Sequence, residues 1–189
     1  MDGYVLATGA DPKATQALAG IHIPQRTTPG VIAITKPMAP TINRIIVAPG
    51  VHIHQRGDGR IVLGEQDGPP KTQAHMARLA GRPTRFPTDD LALQHASRLI
   101  SSAETFVPGM KSAKIEDVII GWRPRPIDDH PVIGRSPTNP AAYLAIMHSG
   151  VSLAPIVGAL AAKEVLSGQT AQGLEHYRPD RTSASVRRY

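Results

Sequence analysis

Two segments hold most of the residues whose types and spacing could do chemistry. The first is Gly121-Trp122-Arg123-Pro124-Arg125-Pro126-Ile127-Asp128-Asp129-His130-Pro131-Val132-Ile133-Gly134-Arg135. A strand-like run ends there in Arg123, and the prolines stiffen the turn that follows. A guanidinium on a rigid backbone is suited to grip a carboxylate through two parallel hydrogen bonds. The same spacing equally permits a structural turn in which an arginine pairs with Asp128. The second segment is Ala145-Ile146-Met147-His148-Ser149-Gly150-Val151-Ser152-Leu153-Ala154-Pro155. A strand runs into a glycine turn and then a helix, whose start offers free backbone N–H groups and partial positive charge to an anion. An ordinary strand–helix corner with serine as cap fits the same residues. His52 and His54 fall on one face of a strand. They could ligate a metal, but no third ligand is evident, and two surface histidines are the simpler account. Asp128 and Asp129 have the form of an acid/base pair.

Short elements must position these groups. The apolar run over residues 4–7 predicts a strand buried on both faces, and hence a parallel strand with a neighbour on each side. Those neighbours are expected from sequence that precedes it. Residues 11–19 predict a brief helix stopped by Gly20. Strands are expected over 30–35, 42–48, 51–55, 60–64, 115–122 and 142–147. Arg56-Gly57-Asp58-Gly59 between two β-rich runs marks a hairpin, so the strands from 30 to 64 read as one antiparallel sheet. Residues 67–87 read as a loop. A helix over 88–102 opens on Thr88-Asp89-Asp90, with a hydroxyl for capping and carboxylates at the positive end. A second helix, over 152–166, has Pro155 in its first turn and Gly168 after its end. Residues 182–189 read as a flexible tail.

Composition narrows the classes. A chain of 189 residues, 41% hydrophobic and 19% charged, can bury a core of its own. There is no cysteine, which excludes disulfides and thiolate chemistry and fits a reducing compartment; the expected location is cytoplasmic. The net charge of +6 has little aromatic company (4%), which argues against nucleic-acid binding. The longest apolar stretch, residues 151–162, falls short of the ~20 residues of a membrane span.

The two segments together resemble the C-terminal half of the glycine oxidase / D-amino-acid oxidase-like family of FAD-dependent oxidoreductases. That family carries a G-x-R-P-x-x-x-D-x-x-P-x-I-G run, then a strand, then a glycine-containing turn ending in A-P at the start of a helix. Here Gly121, Arg123, Pro124, Asp128, Pro131, Ile133 and Gly134 match the first motif, and His148, Ala154 and Pro155 the second. Val5-Leu6-Ala7-Thr8-Gly9-Ala10 looks like the family's strand that closes its FAD domain. Residues 58–64 look like its substrate-sheet hairpin, and residues 174–181 like its closing stretch. The resemblance implies an α+β fold. A mixed or antiparallel substrate-binding sheet with flanking helices would occupy residues 21–120. An incomplete FAD-binding Rossmann-like domain would contribute its last strand within residues 1–20 and its C-terminal helix within 121–181. It further implies that Arg123 binds the substrate carboxylate. His52 falls where relatives often point a tyrosine at the substrate. Thr8, Gly9, His148, Ser149, Gly150, Val151, Ser152 and Leu153 would lie against FAD. Hydride transfer from an amine carbon needs no acid/base pair, so no catalytic side chain is expected, and Asp128 becomes a brace for its turn.

The sequence lacks the G-x-G-x-x-G turn that holds the FAD pyrophosphate and the acidic residue that grips the ribose. Met147 replaces the glycine that commonly precedes His148, and Gly150 and Ser152 also depart from the commoner pattern. The reading is therefore a split enzyme: another chain supplies the dinucleotide-binding half, and the hetero-oligomer oxidises a small amine or amino acid. Alone, the chain is not expected to hold FAD tightly. An inactive truncated remnant and a basic binding module are the alternatives.

Overall fold

A computed structural model of the chain describes residues 3–65 and 79–181. The expected tail at 182–189 and most of the expected 67–87 loop lie outside the described residues. Residues 79–87 form turns and bends. The chain divides into two compact units, one of residues 1–28 and 123–189, the other Pro29–Trp122.

The first unit holds a three-stranded sheet in the order β1 (Tyr4–Leu6), β8 (Ala142–Ile146), β7 (Val132–Arg135). β1 pairs parallel to β8 with Tyr4 opposite Ala142, and β7 pairs antiparallel with Val132 opposite Ile146. Alternation along β8 separates two cores. Leu6, Val132, Ala142, Leu144 and Ile146 pack on one side with Ala19 of helix α1 (Pro12–Ala19). Ile133, Tyr143 and Met147 pack on the other with Val157 and Ala161 of helix α3 (Gly150–Ser167). Helix α1 starts where Asp11 accepts from the Ala14 N–H at 3.0 Å, and it ends at Gly20 in the left-handed conformation (φ 68°).

The β1 expectation needs correction. One neighbour, β8, comes from this chain and follows β1 rather than preceding it. The other edge of β1 carries no strand among the described residues. Tyr4 and Val5 are 41% and 52% exposed, where a strand buried on both faces was predicted.

The second unit builds on a five-stranded sheet in the order β3 (Ile46–Ala48), β4 (Val51–Gln55), β5 (Ile61–Glu65), β2 (Gln25–Thr35), β6 (Ile115–Pro126). The β3/β4, β4/β5 and β2/β5 pairs are antiparallel. One face carries Val31, Ala33, Val51, Ile53, Ile61, Leu63, Val118 and Ile120, packed with Ala96, Leu99 and Ala103 of helix α2 (Asp89–Glu104). Burying each Leu, Ile or Val of this set contributes about 1.5–3 kcal/mol. Thr88 caps α2, accepting from the Leu91 N–H at 3.4 Å. The hairpin between β4 and β5 turns at Gly59 (φ 85°), where a Cβ would meet the Met38 carbonyl oxygen at 2.9 Å, so only glycine fits. Strands β2 and β6 run longer than predicted, and each carries the chain from one unit to the other. The sequence shows no sign of β7, a four-residue strand bent by Gly134.

Candidate functional site

The chemistry gathers in the first unit, where β6 ends and α3 begins. Arg123 and Arg125 alternate with Pro124 and Pro126 over the last residues of β6, so both side chains leave the strand on one side. The strand end is anchored by the Ile127 N–H, which donates to the Pro24 carbonyl at 3.0 Å. The turn beyond is braced twice. Asp128 accepts from the His130 N–H (3.1 Å) and, with both oxygens, from Arg181 Nε and Nη2 (2.8 and 3.0 Å). This agrees with the bracing role implied for Asp128. Asp129 turns the other way: its Oδ1 accepts from Nε and Nη2 of the buried Arg125 at 3.0 and 2.6 Å. Asp129 adopts φ 59°, a left-handed backbone that costs on the order of 1 kcal/mol outside glycine.

His148 sits at the β8–α3 corner. Crowding by its neighbours, then the positive charge of Arg125 and Arg123, holds its imidazole below the usual histidine range, while Asp129 opposes the shift. His148, Arg123 and Arg125 thus share one electrostatic neighbourhood. Ser149 does not cap the helix: its hydroxyl lies 3.2 Å from His148 Nδ1 and makes no bond to the first-turn N–H groups. Helix α3 starts at Gly150 rather than Ser152. Pro155 consequently lies inside the helix, beyond the first turn where the sequence placed it. Gly150, Val151 and Ser152 form the first helical turn. Val151 is 94% exposed, and the side chain of Leu153 is half-buried. The helix start thus remains an uncapped positive end beside His148.

Thr8 and Gly9 lie in the turn after β1. The Thr8 hydroxyl pairs with that of Thr15, which also donates to the Asp11 carbonyl. Gly9 has φ 61°, and a Cβ there would meet nothing within 4 Å, so open space borders the turn. Thr27 donates to the Ala10 carbonyl at 3.4 Å and Arg26 to the Ile127 carbonyl at 3.4 Å, so residues 25–28 bridge this turn and the end of β6. Within that bridge both amide atoms of Gln25 and the Thr28 hydroxyl are buried without a hydrogen-bond partner. Leaving such groups unpaired costs about 1–3 kcal/mol each.

His52 belongs to the second unit. On β4 it alternates with the buried Val51 and Ile53, so it faces away from the core, as His54 does. The register sets Val47, His52, Gly64 and Ile32 in one row across four strands. Among the described residues no group of three or more His, Cys, Asp or Glu could hold a metal ion. A cavity of about 520 Å³ elsewhere in the first unit, bordered by Arg135, Glu164 and Arg178, includes none of the sequence-predicted site residues.

Arg125 and Gln25 are members that sequence reasoning did not select, and Asp129 was weighed only as half of an acid/base pair, not as a partner of Arg125. The i,i+4 spacing of Arg125 and Asp129 was the available signal. Gln25 gave none, since its burial depends on neighbours distant in sequence.

A motif-bearing arginine, an uncapped helix start and an open turn thus share one unit. A family model described as FAD dependent oxidoreductase matches residues 1–164. The chain belongs to the FAD-dependent oxidoreductase family. It is 32% identical over 116 residues to glycine oxidase of Bacillus licheniformis, covering 58% of this chain and 31% of that protein. It is 24% identical over 165 residues to a subunit of opine oxidase from Agrobacterium tumefaciens (strain Ach5), covering 87% of this chain and 39% of that protein. Among solved structures, glycine oxidase from Geobacillus kaustophilus superposes with TM-score 0.76 at 22% identity, over 95% of this chain and 45% of that one. L-proline dehydrogenase from P. horikoshii gives 0.73 at 24% identity, over 93% and 45%. The mixed α+β fold is thus that of glycine oxidase, and the chain spans less than half the length of these relatives. FAD is the cofactor of the family.

Proposed function

We propose that the chain is the substrate-binding half of an FAD-dependent oxidoreductase acting on a small amine or amino acid. A dinucleotide-binding half carrying G-x-G-x-x-G lies outside these 189 residues. The observation that carries the reading is the meeting of Arg123, His148 and the uncapped start of α3 at one corner of the first unit.

The residues present fit the ring end of the cofactor. The α3 start offers N–H groups to an anionic edge, Gly9 leaves room beside its turn, and Gln25 and Thr28 lack partners. In this reading Thr8, Gly9 and residues 148–153 line the flavin, largely through backbone. When bound, FAD supplies an acceptor for hydride from the carbon next to nitrogen. Arg123 grips the substrate carboxylate and fixes which face of that carbon is presented. The N-terminus of α3 stabilises negative charge nearby. His148, held neutral, adds no competing cation. The family resemblance adds His52 as a candidate substrate contact. No described side chain is required as a general base.

The missing half is supported by two bare surfaces. Among the described residues one edge of β1 has no partner strand, and that edge with the exposed side chains of β1 suits a further strand. Helix α3 leaves Val151, Ile156 and Leu166 exposed at 94%, 54% and 87%. In this reading β1 and α3 are the closing strand and C-terminal helix of the Rossmann-like domain. By length and composition alone, the 18-residue α3 could cross a membrane, where the sequence predicts a shorter element. Its Glu164 is buried and bonded to Tyr143 and Arg178, which suits packing against protein.

The test is anaerobic addition of small amines and amino acids to the chain assembled with a dinucleotide-binding half and loaded with FAD. Bleaching of the flavin band by one of them, abolished in Arg123→Ala with the flavin still bound, is the expected result. An Arg123→Ala assembly that bleaches as fast as the wild type overturns the assignment.

A further inference from the structure

Residues 174–181 lie beyond residue 164, where the match to the family model ends. They fold back onto the second half of the first motif. Tyr177 sets its ring against that of His130, with centroids 6.1 Å apart. Gly134 gives the segment its seat. A Cβ there would meet Arg178 Nη1 and Pro179 Cδ at 3.1 Å each, and its φ of 139° is one that side chains rarely adopt. Arg181 then reaches Asp128. Its Nε and Nη2 donate to the two carboxylate oxygens at 2.8 and 3.0 Å. Nη2 donates also to the His130 carbonyl at 3.1 Å, and Nη1 to the Arg178 carbonyl at 3.2 Å. The paired side chains are 14% and 11% exposed, so this is a shielded two-point grip rather than a surface ion pair of little worth.

The grip closes a turn on which the corner at His148 depends. Asp128 Oδ1 also accepts from the His130 N–H at 3.1 Å, and the Asp129 N–H donates to the Pro126 carbonyl at 2.9 Å. The backbone is therefore fixed on both sides of Asp129. Held there, Asp129 keeps φ 59° and presents Oδ1 to Nε and Nη2 of Arg125. A left-handed aspartate persists where its surroundings over-determine it, and the bonds of Asp128 do so here. Arg125, with Arg123, is one of the two cations beside His148, set against Asp129. Printed on the structure is thus a short series of contacts, from Arg181 through Asp128 and Asp129 to Arg125.

We propose that Arg181 is a positioning residue of the candidate site: by gripping Asp128 it fixes the turn over 126–129, and with it the place of Arg125 beside His148. The part this plays in substrate oxidation rests on the function proposed above. The grip itself does not.

The test is an NMR titration of the His148 ring in the full 189-residue chain, which needs neither flavin nor a second chain. Arg181→Lys is the decisive variant, since it keeps the charge but cannot hold two oxygens from one rigid plane. The His148 midpoint is expected to rise by roughly 0.5 pH unit or more, toward the ordinary histidine value. In an Asp128→Asn background the same substitution is expected to leave the midpoint where it stands, because the grip is already gone. An arginine that merely stabilised the fold would lower the denaturant midpoint and leave the His148 titration of the folded chain unchanged. That result, or a shift that persists without Asp128, overturns the inference. Flavin bleaching in the assembled protein separates it from the proposed function. Bleaching of the wild type by an amine, with the His148 midpoint unmoved in Arg181→Lys, leaves that function standing and removes the inference. A midpoint that moves, with no bleaching by any amine or amino acid, upholds the grip and removes the function.

Discussion

At the scale of the residue, the site is a small electrostatic problem centred on His148. Its imidazole is crowded and faces two guanidinium groups with one opposing carboxylate. The folded state therefore disfavours its proton relative to the unfolded chain. The unfolded value is near 6.5, so the neutral ring's contribution to stability is complete above that pH and is lost as pH falls through the lower folded value. An NMR titration of the His148 ring is expected to show a midpoint below the ordinary histidine value, and Arg125→Gln to move it upward. A midpoint at or above the ordinary value would show that the two arginines do not lie beside the ring. Much at this scale was legible in the sequence. Arg123 and His148 stand at motif positions, and Asp128 was readable as a brace. Arg125 and Asp129 were not, because their pairing requires a left-handed backbone at Asp129 that aspartate tolerates but does not demand. Ser149 was misleading for a related reason. A serine before a helix reads as a cap, yet here its hydroxyl is turned toward His148.

At the scale of the element, α3 is held at its far end by the buried Glu164. Its carboxylate accepts from the Tyr143 hydroxyl (2.6 Å), the Ala171 N–H (2.6 Å) and both terminal nitrogens of Arg178 (2.9 and 2.7 Å). Burial pushes the carboxyl up, but Arg178, Tyr143 and the Ala171 N–H together outweigh it and hold it down at about 2. Burial and the adjoining carboxylate raise the Tyr143 phenol. The network ties strand, helix and closing segment together. The sign is that of a depressed acid. Its contribution, on the order of 3 kcal/mol, is present above the unfolded value near 4.5 and disappears as pH falls toward 2. Glu164→Gln is expected to destabilise the chain at neutral pH and to flatten its acid transition between about pH 4.5 and 2. Denaturant midpoints across that range check this, and a variant that loses stability with acid as steeply as the wild type contradicts it. Elements were legible where their signals are local. Thr88 before two aspartates placed α2 to within two residues at either end, and the Asp58-Gly59 turn placed the hairpin. The start of α3 was displaced because Pro155 reads as a first-turn residue, whereas the helix begins at Gly150 and takes Pro155 into its interior. The four residues of β7 carry too little pattern to stand apart from their loop.

At the scale of the whole molecule, the sequence exposes a mismatch between what the chain contains and what its family needs. Residues 1–164 match the family model, yet no G-x-G-x-x-G turn is present to hold a pyrophosphate. Under the proposed function, the exposed side chains of β1 and of α3 are the surfaces that a dinucleotide-binding half would cover. What the sequence could not give was the pairing of β1 with β8, since it is set by residues more than a hundred positions away. The surfaces carry their own prediction. In hydrogen exchange, the Tyr4–Leu6 amides are expected to become more protected when a dinucleotide-binding half is added, and unchanged protection would place that half elsewhere. The central claim, that this chain completes a flavin site it cannot form alone, is met most directly by titrating FAD into the purified chain with and without that half. Retention of flavin through gel filtration in the mixture, and its loss from the chain by itself, is the predicted outcome. Tight stoichiometric flavin on the isolated 189-residue chain, or none on the mixture, would contradict it.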